Sequence, residues 1–367
     1  MNRRRSAVST ESDTSKANTH FARALIEWHG RCGRHDLPWQ RDRNCYRVWV
    51  SEIMLQQTQV STVLGYYVRF MQRFPDVAAL ASASEEEILT YWSGLGYYSR
   101  ARNLQAAARQ IMTDFAGVFP RDMAGLMSLR GIGRSTAAAI SSFAGFAAQP
   151  IMDGNVKRVF CRYFGVDGYP GLKPVEQQLW RLAEQHMPAR DAAAYTQGLM
   201  DLGATVCTRS KPMCQRCPLV QDCVAYQTDR VSVLPQPRPA KVLPQRQADW
   251  LVLLAEGQVF LERRPPSGIW PGLYGFPEVP AESMPVWCQR YFGCEPVNSE
   301  QQPQLVHTFS HFRLLAVPHV LHLERMPLLL RDSGGAWLPL KDSINAAVPA
   351  PVRRVLQGLL AEQPGSK

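Results

Sequence analysis

Four cysteines crowd into a short stretch of this chain, and they restrict its fold more than any other feature. The run CTRSKPMCQRCPLVQDC holds Cys207, Cys214, Cys217 and Cys223. Four thiolates at this density are typical of a zinc site or an iron–sulfur cluster. Zinc ribbons favour two well-separated C-x2-C pairs, whereas only Cys214 and Cys217 form such a pair here. A compact loop around one metal centre is therefore predicted, and composition alone does not choose between zinc and iron–sulfur.

Length and charge point to two domains and an anionic partner. The chain has 367 residues, nine cysteines and a formal net charge of +10. A basic chain of this size is a candidate for binding nucleic acid or an anionic membrane surface. No apolar run approaches the roughly 20 residues that a membrane span needs. Because we find no secretory signal, the clustered cysteines indicate a metal centre in a reducing compartment instead of a disulfide scaffold.

The pattern of apolar residues divides the chain into four segments. Residues 1–19 are polar, and a disordered tail is expected. Residues 20–225 show apolar positions at helical spacing and no strand pattern, which predicts an all-α domain. Residues 226–247 are rich in Pro, Gln and Arg, as in an interdomain linker. Residues 248–362 combine a hairpin that turns near Glu256-Gly257, further strands and a closing helix, which predicts a smaller α+β domain.

A glycine turn lies near the centre of the all-α region. Gly131 and Gly133 flank one isoleucine and run into a helix that we expect to start near Ser135. Glycines let a backbone come close to a partner, and the free amides at a helix start suit a phosphate. The turn could therefore grip a DNA phosphate without reading bases. The alternative is an ordinary turn between helices.

Two carboxylates are candidates for acid–base chemistry. Glu52 lies in SEIMLQQTQV, which we predict to be a helix with Glu52 in its first turn amid apolar residues. Such surroundings favour a neutral carboxyl, which a general acid needs near neutral pH. Asp153 opens the helix NVKRVFCRYFG, where the helix dipole should keep it ionised. The alternatives are a solvated carboxylate at Glu52 and a simple N-cap at Asp153.

A glycine-rich break between two predicted helices carries two aromatic residues. It runs through Gly94-Leu95-Gly96-Tyr97-Tyr98 and is followed by Arg100 and Arg102. Aromatic rings on a turn beside arginines can wedge into a base stack while the arginines hold phosphates. The alternative is tyrosine packing between helices.

The order of these motifs resembles a known family. SEIMLQQTQV, GLGYYSRARNL, LRGIGRSTAAAI, IMDGNVKRV and the C-x6-C-x2-C-x5-C run resemble the MutY family of adenine DNA glycosylases, in the helix-hairpin-helix superfamily. RPPSGIWPGLYGFPEV and HTFSHF resemble that family's Nudix-like second domain. The resemblance implies an all-α helix-hairpin-helix glycosylase domain (20–225) with a [4Fe–4S] cluster in loop 207–223. A Nudix-like α+β domain for 8-oxoguanine recognition (248–362) is implied to follow it.

The resemblance also implies an activity. The enzyme would be a monofunctional glycosylase that flips adenine, mispaired with 8-oxoguanine or guanine in double-stranded DNA, and hydrolyses its glycosidic bond in base excision repair. Glu52 would be the general acid, and Asp153 the ionised partner that stabilises the sugar cation. We expect a monomer in the bacterial cytoplasm, associated with the nucleoid and not with a membrane. The alternative is a related helix-hairpin-helix glycosylase that acts on another damaged or mismatched base.

Several DNA contacts are implied in the same way. Gln57 and Tyr97 match wedge positions that fill or prop the opened duplex, and Gly131 and Gly133 anchor a phosphate. Ser135 stands where bifunctional relatives carry a catalytic lysine, so an abasic product with little strand cleavage is expected.

Two further positions concern single contacts. We expect Lys157 to contact a phosphate. Pro271 stands where relatives tend to have glycine, so a backbone amide donor is missing there.

The second domain is expected to bind without hydrolysing. Phe309, Ser310 and His311 are implied to inspect the 8-oxoguanine, with hydrogen bonds from Ser310 and His311. A Nudix hydrolase needs a helix with several glutamates to hold Mg²⁺. The corresponding stretch offers only Glu278 and Glu282. A nucleotide pyrophosphatase is therefore disfavoured.

Overall fold

The computed structural model divides into two compact units. The residues that it describes are 11–239, 242–293, 295–326 and 335–362. The first unit consists of Met1–Ser82 with Ala106–Ala240, and the second of Ala83–Gln105 with Lys241–Lys367. The chain enters the second unit at residue 83, returns to the first at residue 106, and enters the second again at residue 241, inside the predicted linker. The domain bounds 20–225 and 248–362 remain predictions.

All regular secondary structure in the described chain before the cysteine loop is helical. The α-helices are α1 (Glu11–Cys32), α2 (Cys45–Leu55), α3 (Val60–Arg73), α4 (Val77–Ser82), α5 (Glu85–Trp92), α6 (Ser99–Asp114), α7 (Met123–Ser128), α8 (Arg134–Phe143), α9 (Gly154–Tyr163), α10 (Lys173–Gln185), α11 (Ala192–Asp201), α12 (Val224–Gln227), α13 (Met284–Phe292), α14 (Leu340–Ser343) and α15 (Ala350–Glu362). Between residues 20 and 225, all of them described, no β-strand is present. The all-α prediction for this region is confirmed.

Local sequence explains where several helices begin. Asn44 caps α2 by accepting a hydrogen bond from the amide of Arg47 at 2.9 Å. Ser84 caps α5 by accepting one from the amide of Glu87 at 3.1 Å, and three glutamates follow in the first turn. A capping side chain satisfies an amide that the helix leaves unpaired, and acidic residues there complement the helix dipole.

Two segments differ from the sequence-based expectation. Residues 11–19, which we expected in a disordered tail, belong to α1; residues 1–10 lie outside the described part. Neither glycine nor proline interrupts residues 11–19, so the sequence does not break a helix there. The predicted linker is also partly packed on the first unit, because Leu234 is buried and its carbonyl accepts from Arg162 Nε at 2.8 Å.

A mixed sheet forms the centre of the second unit. Its strands are β1 (Gln245–Ala255), β2 (Gln258–Arg263), β3 (Tyr274–Gly275), β4 (Asn298–Gln301), β5 (Leu305–Thr308), β6 (Arg313–His322) and β7 (Gly335–Pro339). The order is β3-β2-β1-β6-β4, with β5 also on β6 and β7 also on β2. β1 and β6 are parallel, and the other pairs are antiparallel. The predicted hairpin turn at Glu256-Gly257 joins β1 to β2, with Leu254 opposite Val259.

Both faces of β1 are buried over residues 250–253. Trp250 and Val252 pack with α15, whereas Leu251 and Leu253 pack with α13. Alternate residues of a strand point to opposite faces, so a continuous apolar run is expected where helices cover both sides. This arrangement confirms the predicted α+β architecture.

Within the described residues, no helix is both long and apolar enough to cross a membrane.

Candidate active site

One cavity in the first unit brings the two predicted acids together. Glu52 and Asp153 both line this space of about 850 Å³. Cations, amides and rings complete much of the wall: Arg34, Trp39, Gln40, Arg43, Gln56, Gln57, Phe143, Asn155, Arg158, Gln197 and Arg209. The volume lies within the usual range of small-molecule sites.

Glu52 lies in the last turn of α2, and our prediction of a first-turn position was wrong. The Asn44 cap starts the helix at Cys45, well before Glu52. The C-terminal end of a helix carries negative partial charge, which disfavours a carboxylate. Burial, and next the negative charge of Asp153, raise the pKa of Glu52 to about 8. Its carboxyl is therefore mainly neutral at pH 7, as its apolar neighbours predicted.

Asp153 caps α9 as predicted. Its Oδ1 accepts a hydrogen bond from the amide of Val156 at 2.7 Å. Burial raises the pKa of Asp153 above its ordinary value, while the amides of Val156 and Asn155 and the guanidinium of Arg158 oppose this rise. The helix-start stabilisation that we expected is present, but burial outweighs it. Amides and a guanidinium stabilise the charged form of Asp153, whereas the charge of Asp153 destabilises the charged form of Glu52. As the pH rises, Asp153 therefore loses its proton before Glu52 does.

The glycine turn joins α7 to α8. Gly131 has φ +81°, a conformation that glycine adopts without strain. Gly133 is the N-cap of α8 and has no side chain to offer the first amides. Ser135 Oγ accepts a hydrogen bond from the amide of Met152 at 3.0 Å. The start of α8 is thus tied to the residue directly before Asp153.

The two predicted wedge residues share an unusual backbone. Gln57, two residues after the end of α2, has φ +57°, and Tyr97, between α5 and α6, has φ +48°. Both side chains are exposed. A non-glycine residue in the left-handed region is uncommon and costs energy, so surrounding structure must hold it there.

Neighbouring cations already have protein partners. Lys157 Nζ donates to Glu176 Oε1 at 2.6 Å. A phosphate contact by Lys157 would have to replace or share this partner. Arg158 donates to Asn155 Oδ1 at 2.8 Å and to the carbonyl of Cys207 at 2.8 Å. It therefore connects the wall of the cavity to the cysteine loop.

The four cysteines surround one small space. Cys207, Cys214, Cys217 and Cys223 line a cavity of about 30 Å³ beside Arg162, whose Nη1 donates to Cys207 Sγ at 3.3 Å. The eight cysteines in the described ranges are all free thiols. Within those ranges, no three or more His, Cys, Asp or Glu side chains are placed to hold one metal ion. Four thiols around one space are a donor set that fits a zinc ion or an iron–sulfur cluster.

The predicted recognition loop in the second unit is a tight turn between β5 and β6. The amide of Phe309 donates to the carbonyl of Phe312 at 2.9 Å, and their rings stack with centroids 4.6 Å apart. Trp270 lies 5.3 Å from the Phe309 ring. Ser310 and His311 are exposed, with Ser310 Oγ 3.4 Å from His311 Nδ1. The loop thus presents two polar groups from an aromatic base.

The stretch of the second unit that corresponds to the glutamate helix of a Nudix hydrolase does not form such a helix. Helix α13 has the sequence MPVWCQRYF and contains no glutamate. Glu278 is paired with Arg246 and with Arg264, whose Nη1 lies 2.8 Å from Glu278 Oε1. A carboxylate held between two guanidinium groups is poorly placed to hold Mg²⁺.

Sequence analysis missed one buried group at the cavity. Asp201 is fully buried and accepts hydrogen bonds from Arg34 Nη2 at 2.6 Å and from Gln197 Nε2 at 3.0 Å. Arg34 and Gln197 both line the cavity. The signal was available, because Asp201 is an acid among apolar residues, like Glu52. Its partners were not visible, since Arg34 lies far away in the sequence.

Comparison with known proteins identifies the family. Residues 50–185 match the model of the HhH-GPD superfamily base excision DNA repair protein. The chain is 35% identical over 343 residues to the adenine DNA glycosylase of Buchnera aphidicola subsp. Schizaphis graminum, covering 92% of this chain and 98% of that relative. This chain belongs to the adenine DNA glycosylase family.

The family likeness extends over both halves of the chain. The human adenine DNA glycosylase is 35% identical over 412 residues, which cover 95% of this chain and 75% of the human protein. Residues 249–358 match the NUDIX domain model. The predicted two-part architecture of this adenine DNA glycosylase family member is therefore confirmed.

A solved structure agrees with the helical part. A thermostable thymine-DNA glycosylase matches with a TM-score of 0.54 and 29% identity, covering 59% of this chain and 99% of that one. The helix-hairpin-helix fold of this family member is thus also found in an enzyme named for a different base. The DNA-glycosylase class is confirmed by these comparisons, whereas the roles of individual site residues remain predictions.

Proposed function

We propose that this protein hydrolytically excises adenine mispaired with 8-oxoguanine or guanine in double-stranded DNA, leaving an abasic site for base excision repair. The observation that carries the proposal is the pair of acids in one cavity. Glu52 has its pKa raised to about 8, while Asp153 has amides and Arg158 to stabilise its charge. Two carboxyls with different proton affinities can divide the work of cleaving a glycosidic bond. Membership of the adenine DNA glycosylase family supports adenine as the base.

The two acids take complementary parts in the reaction. Glu52 gives its proton to a ring nitrogen of adenine, so that the base leaves as a neutral molecule when the bond to the sugar breaks. Ionised Asp153 stabilises the cationic sugar that remains, or bonds to it transiently. Glu52, now a carboxylate, takes a proton from the water that adds to the sugar, which restores its neutral form.

Adenine must leave the base stack before this chemistry, which costs a few kcal/mol. Gln57 and Tyr97 would fill or prop the opened duplex from their exposed, left-handed positions. The turn at Gly131 and Gly133 would anchor a phosphate at the start of α8. Lys157 would break its ion pair with Glu176 and contact a phosphate instead.

Strand cleavage is not expected from this site. A bifunctional glycosylase attacks the sugar with an amine. Ser135 carries a hydroxyl instead, and that hydroxyl accepts a hydrogen bond from the amide of Met152. We therefore propose a monofunctional enzyme.

The loop at Phe309 would recognise the base opposite the adenine. 8-Oxoguanine differs from guanine by an N–H at position 7 and a carbonyl at position 8. A hydroxyl donates and accepts, and an imidazole does both through its two nitrogens. Ser310 and His311 are exposed and side by side, so together they can pair with both new groups.

We propose a [4Fe–4S] cluster held by Cys207, Cys214, Cys217 and Cys223. The supporting observations are the shared cavity of the four thiols and the Arg162 donor on Cys207. When bound, the cluster would cross-link the loop and fix its shape. The basic residues of the loop, Arg209 and Lys211 among them, would then face DNA phosphates.

Replacing Cys214 by serine should remove bound iron and weaken DNA binding by roughly tenfold or more, because the loop loses its cross-link. Iron content, the visible absorbance of the cluster and duplex affinity measured at one salt concentration check this. Cys32→Ser is the matched control, since Cys32 is an exposed thiol on α1. Full affinity without iron in the Cys214→Ser protein would contradict a structural role of the cluster.

We further propose that the protein acts as a monomer on nucleoid DNA in the cytoplasm. Glu52 and Asp153 come from one chain, so the catalytic pair needs no second copy. The basic net charge and the bacterial relatives support DNA in the cytoplasm as its site of action.

The test is single-turnover base release from duplexes with adenine opposite 8-oxoguanine, guanine, cytosine or thymine. We expect fast adenine release opposite 8-oxoguanine, slower release opposite guanine, and no strand breaks before alkali treatment. A duplex with a G·T mispair covers the alternative, which the likeness to the thymine-DNA glycosylase raises. Thymine release without adenine release would establish the alternative. Strand cleavage at neutral pH would contradict the monofunctional mechanism.

A further inference from the structure

The turn that carries Tyr97 is held by groups from the carboxyl-terminal part of its own compact unit. This 93–98 turn runs from Ser93 to Tyr98, between α5 and α6. Ser93 Oγ donates to the carbonyl of Val348 at 3.0 Å, and the Tyr98 hydroxyl donates to the same oxygen at 3.4 Å. Val348 is fully buried. Two hydroxyls from the turn therefore satisfy one carbonyl that water does not reach.

Arg353 of α15 adds a second connection. Its Nη2 donates to Ser93 Oγ at 2.5 Å, and its Nη1 donates to the carbonyl of Ser93 at 3.5 Å. The Ser93 hydroxyl thus accepts from Arg353 while it donates to Val348. A hydroxyl with both functions in use has one orientation, so the start of the turn is fixed.

The 93–98 turn needs outside support because of its backbone. Gly94 has φ +106°, Gly96 has φ +71° and Tyr97 has φ +48°. Glycine tolerates such values, but a tyrosine there is strained. Tyr97 is 52% exposed, so packing of its ring alone does not fix this conformation. Contacts made by its neighbours must do so.

A support from α6 completes the arrangement. Arg100 Nη2 donates to the carbonyls of Leu95 and Gly96, both at 3.2 Å. The guanidinium carbon of Arg100 lies 5.6 Å from the centre of the Tyr97 ring. Arg100 holds the middle of the turn, the Val348 carbonyl holds both of its ends, and Arg353 adds a second contact at Ser93. Tyr97 is thus presented by a turn that is fixed on both sides.

Pro271 takes part in the same attachment through its carbonyl. Arg102 of α6 donates to the carbonyl of Pro271 and, at 2.9 Å, to Glu85 Oε1. Gly272 makes room, since a Cβ there would lie 2.9 Å from Arg102 Nη2. The amide that proline lacks is not used in this attachment.

We propose that Arg353 and Val348 are positioning groups for Tyr97, so that the recognition part of the chain sets the turn that opens the duplex. Phe309 and Phe312 of the recognition loop pack against the core cluster that contains Val348 and Val352. Contact of that loop with the opposite base is thereby connected, through one packed core, to the support of Tyr97. The inference deepens the proposed function and rests on the wedge role of Tyr97.

The test is Arg353→Ala, studied by adenine release and by fluorescence of 2-aminopurine placed at the adenine position. We expect base opening and single-turnover release at saturating enzyme to slow about tenfold, because a misplaced turn yields fewer opened duplexes. Duplex affinity and Tm should change little. Arg290→Ala, which removes an exposed arginine from α13, should leave both rates unchanged. Arg353→Lys should recover part of the loss, since an ammonium still donates to Ser93 Oγ.

A double-mutant cycle with Tyr97→Ala separates positioning from general support. If Arg353 acts through Tyr97, Arg353→Ala should have almost no further effect when Tyr97 is already alanine. Equal effects in both backgrounds, or a normal opening rate in Arg353→Ala, would overturn the inference. Failure of the proposed function would give a different result, because the wild-type protein would then release no adenine. The 2-aminopurine fluorescence would still show whether Arg353 acts through Tyr97 in the double-mutant cycle.

Discussion

The Glu52→Gln variant should lose roughly 10²–10⁴-fold in the rate of adenine release while it keeps its affinity for the mispaired duplex. The amide has the shape of the neutral carboxyl but no proton acidic enough to transfer. It also cannot act as the base that activates water in the second half of the reaction. Single-turnover kinetics at saturating enzyme, with duplex affinity measured in parallel, check both parts.

The Tm of the same variant shows whether a loss of activity is caused by a loss of folded structure. Burial raises the pKa of Glu52 to about 8, so the folded protein retains a proton that the unfolded chain releases from about pH 4.5 upward. Wild-type stability should therefore fall as the pH rises through this window. The amide carries no such penalty, so the Tm of Glu52→Gln should equal or exceed that of the wild type at pH 8. An active Glu52→Gln protein would contradict the assignment of the acid.

Adenine release by the wild type should fall about tenfold per pH unit above pH 8. The rate falls at high pH because Glu52 must be protonated to act as the acid. Its raised pKa keeps it protonated up to about pH 8. On the acid side, release should fall as Asp153 gains a proton, at a pH above the ordinary aspartate range because burial raises its pKa. Single-turnover rates from pH 5 to pH 10 at constant ionic strength give the profile.

The two limbs of this profile belong to a coupled pair. The charge of Asp153 is one cause of the raised pKa of Glu52. The remaining activity of an Asp153→Asn protein should therefore lose its alkaline limb at a lower pH than the wild type. A rate that stays constant from pH 7 to pH 10 in the wild type would show that Glu52 is not the acid.

Local signals in the sequence were enough for much of the fold. Some signals depend only on residues that are close in sequence: helical spacing, the Asp153 cap and the Gly131–Gly133 turn. They can therefore be recognised without knowing the tertiary contacts. The β1–β2 hairpin and the closing helix α15 are local in the same sense. The order of the motifs carried the family resemblance, and the comparisons confirmed that family.

The tertiary structure decided how the acids differ and what holds the wedge. Whether Glu52 is neutral depends on desolvation and on the charge of Asp153, which another helix supplies. Asp201 joins Arg34 to Gln197 across distant segments, and the 93–98 turn is held by Val348 and Arg353. The sequence by itself therefore determined the elements and the candidate residues. Only the packed chain sets proton affinity and side-chain position, because both depend on groups brought together from far apart.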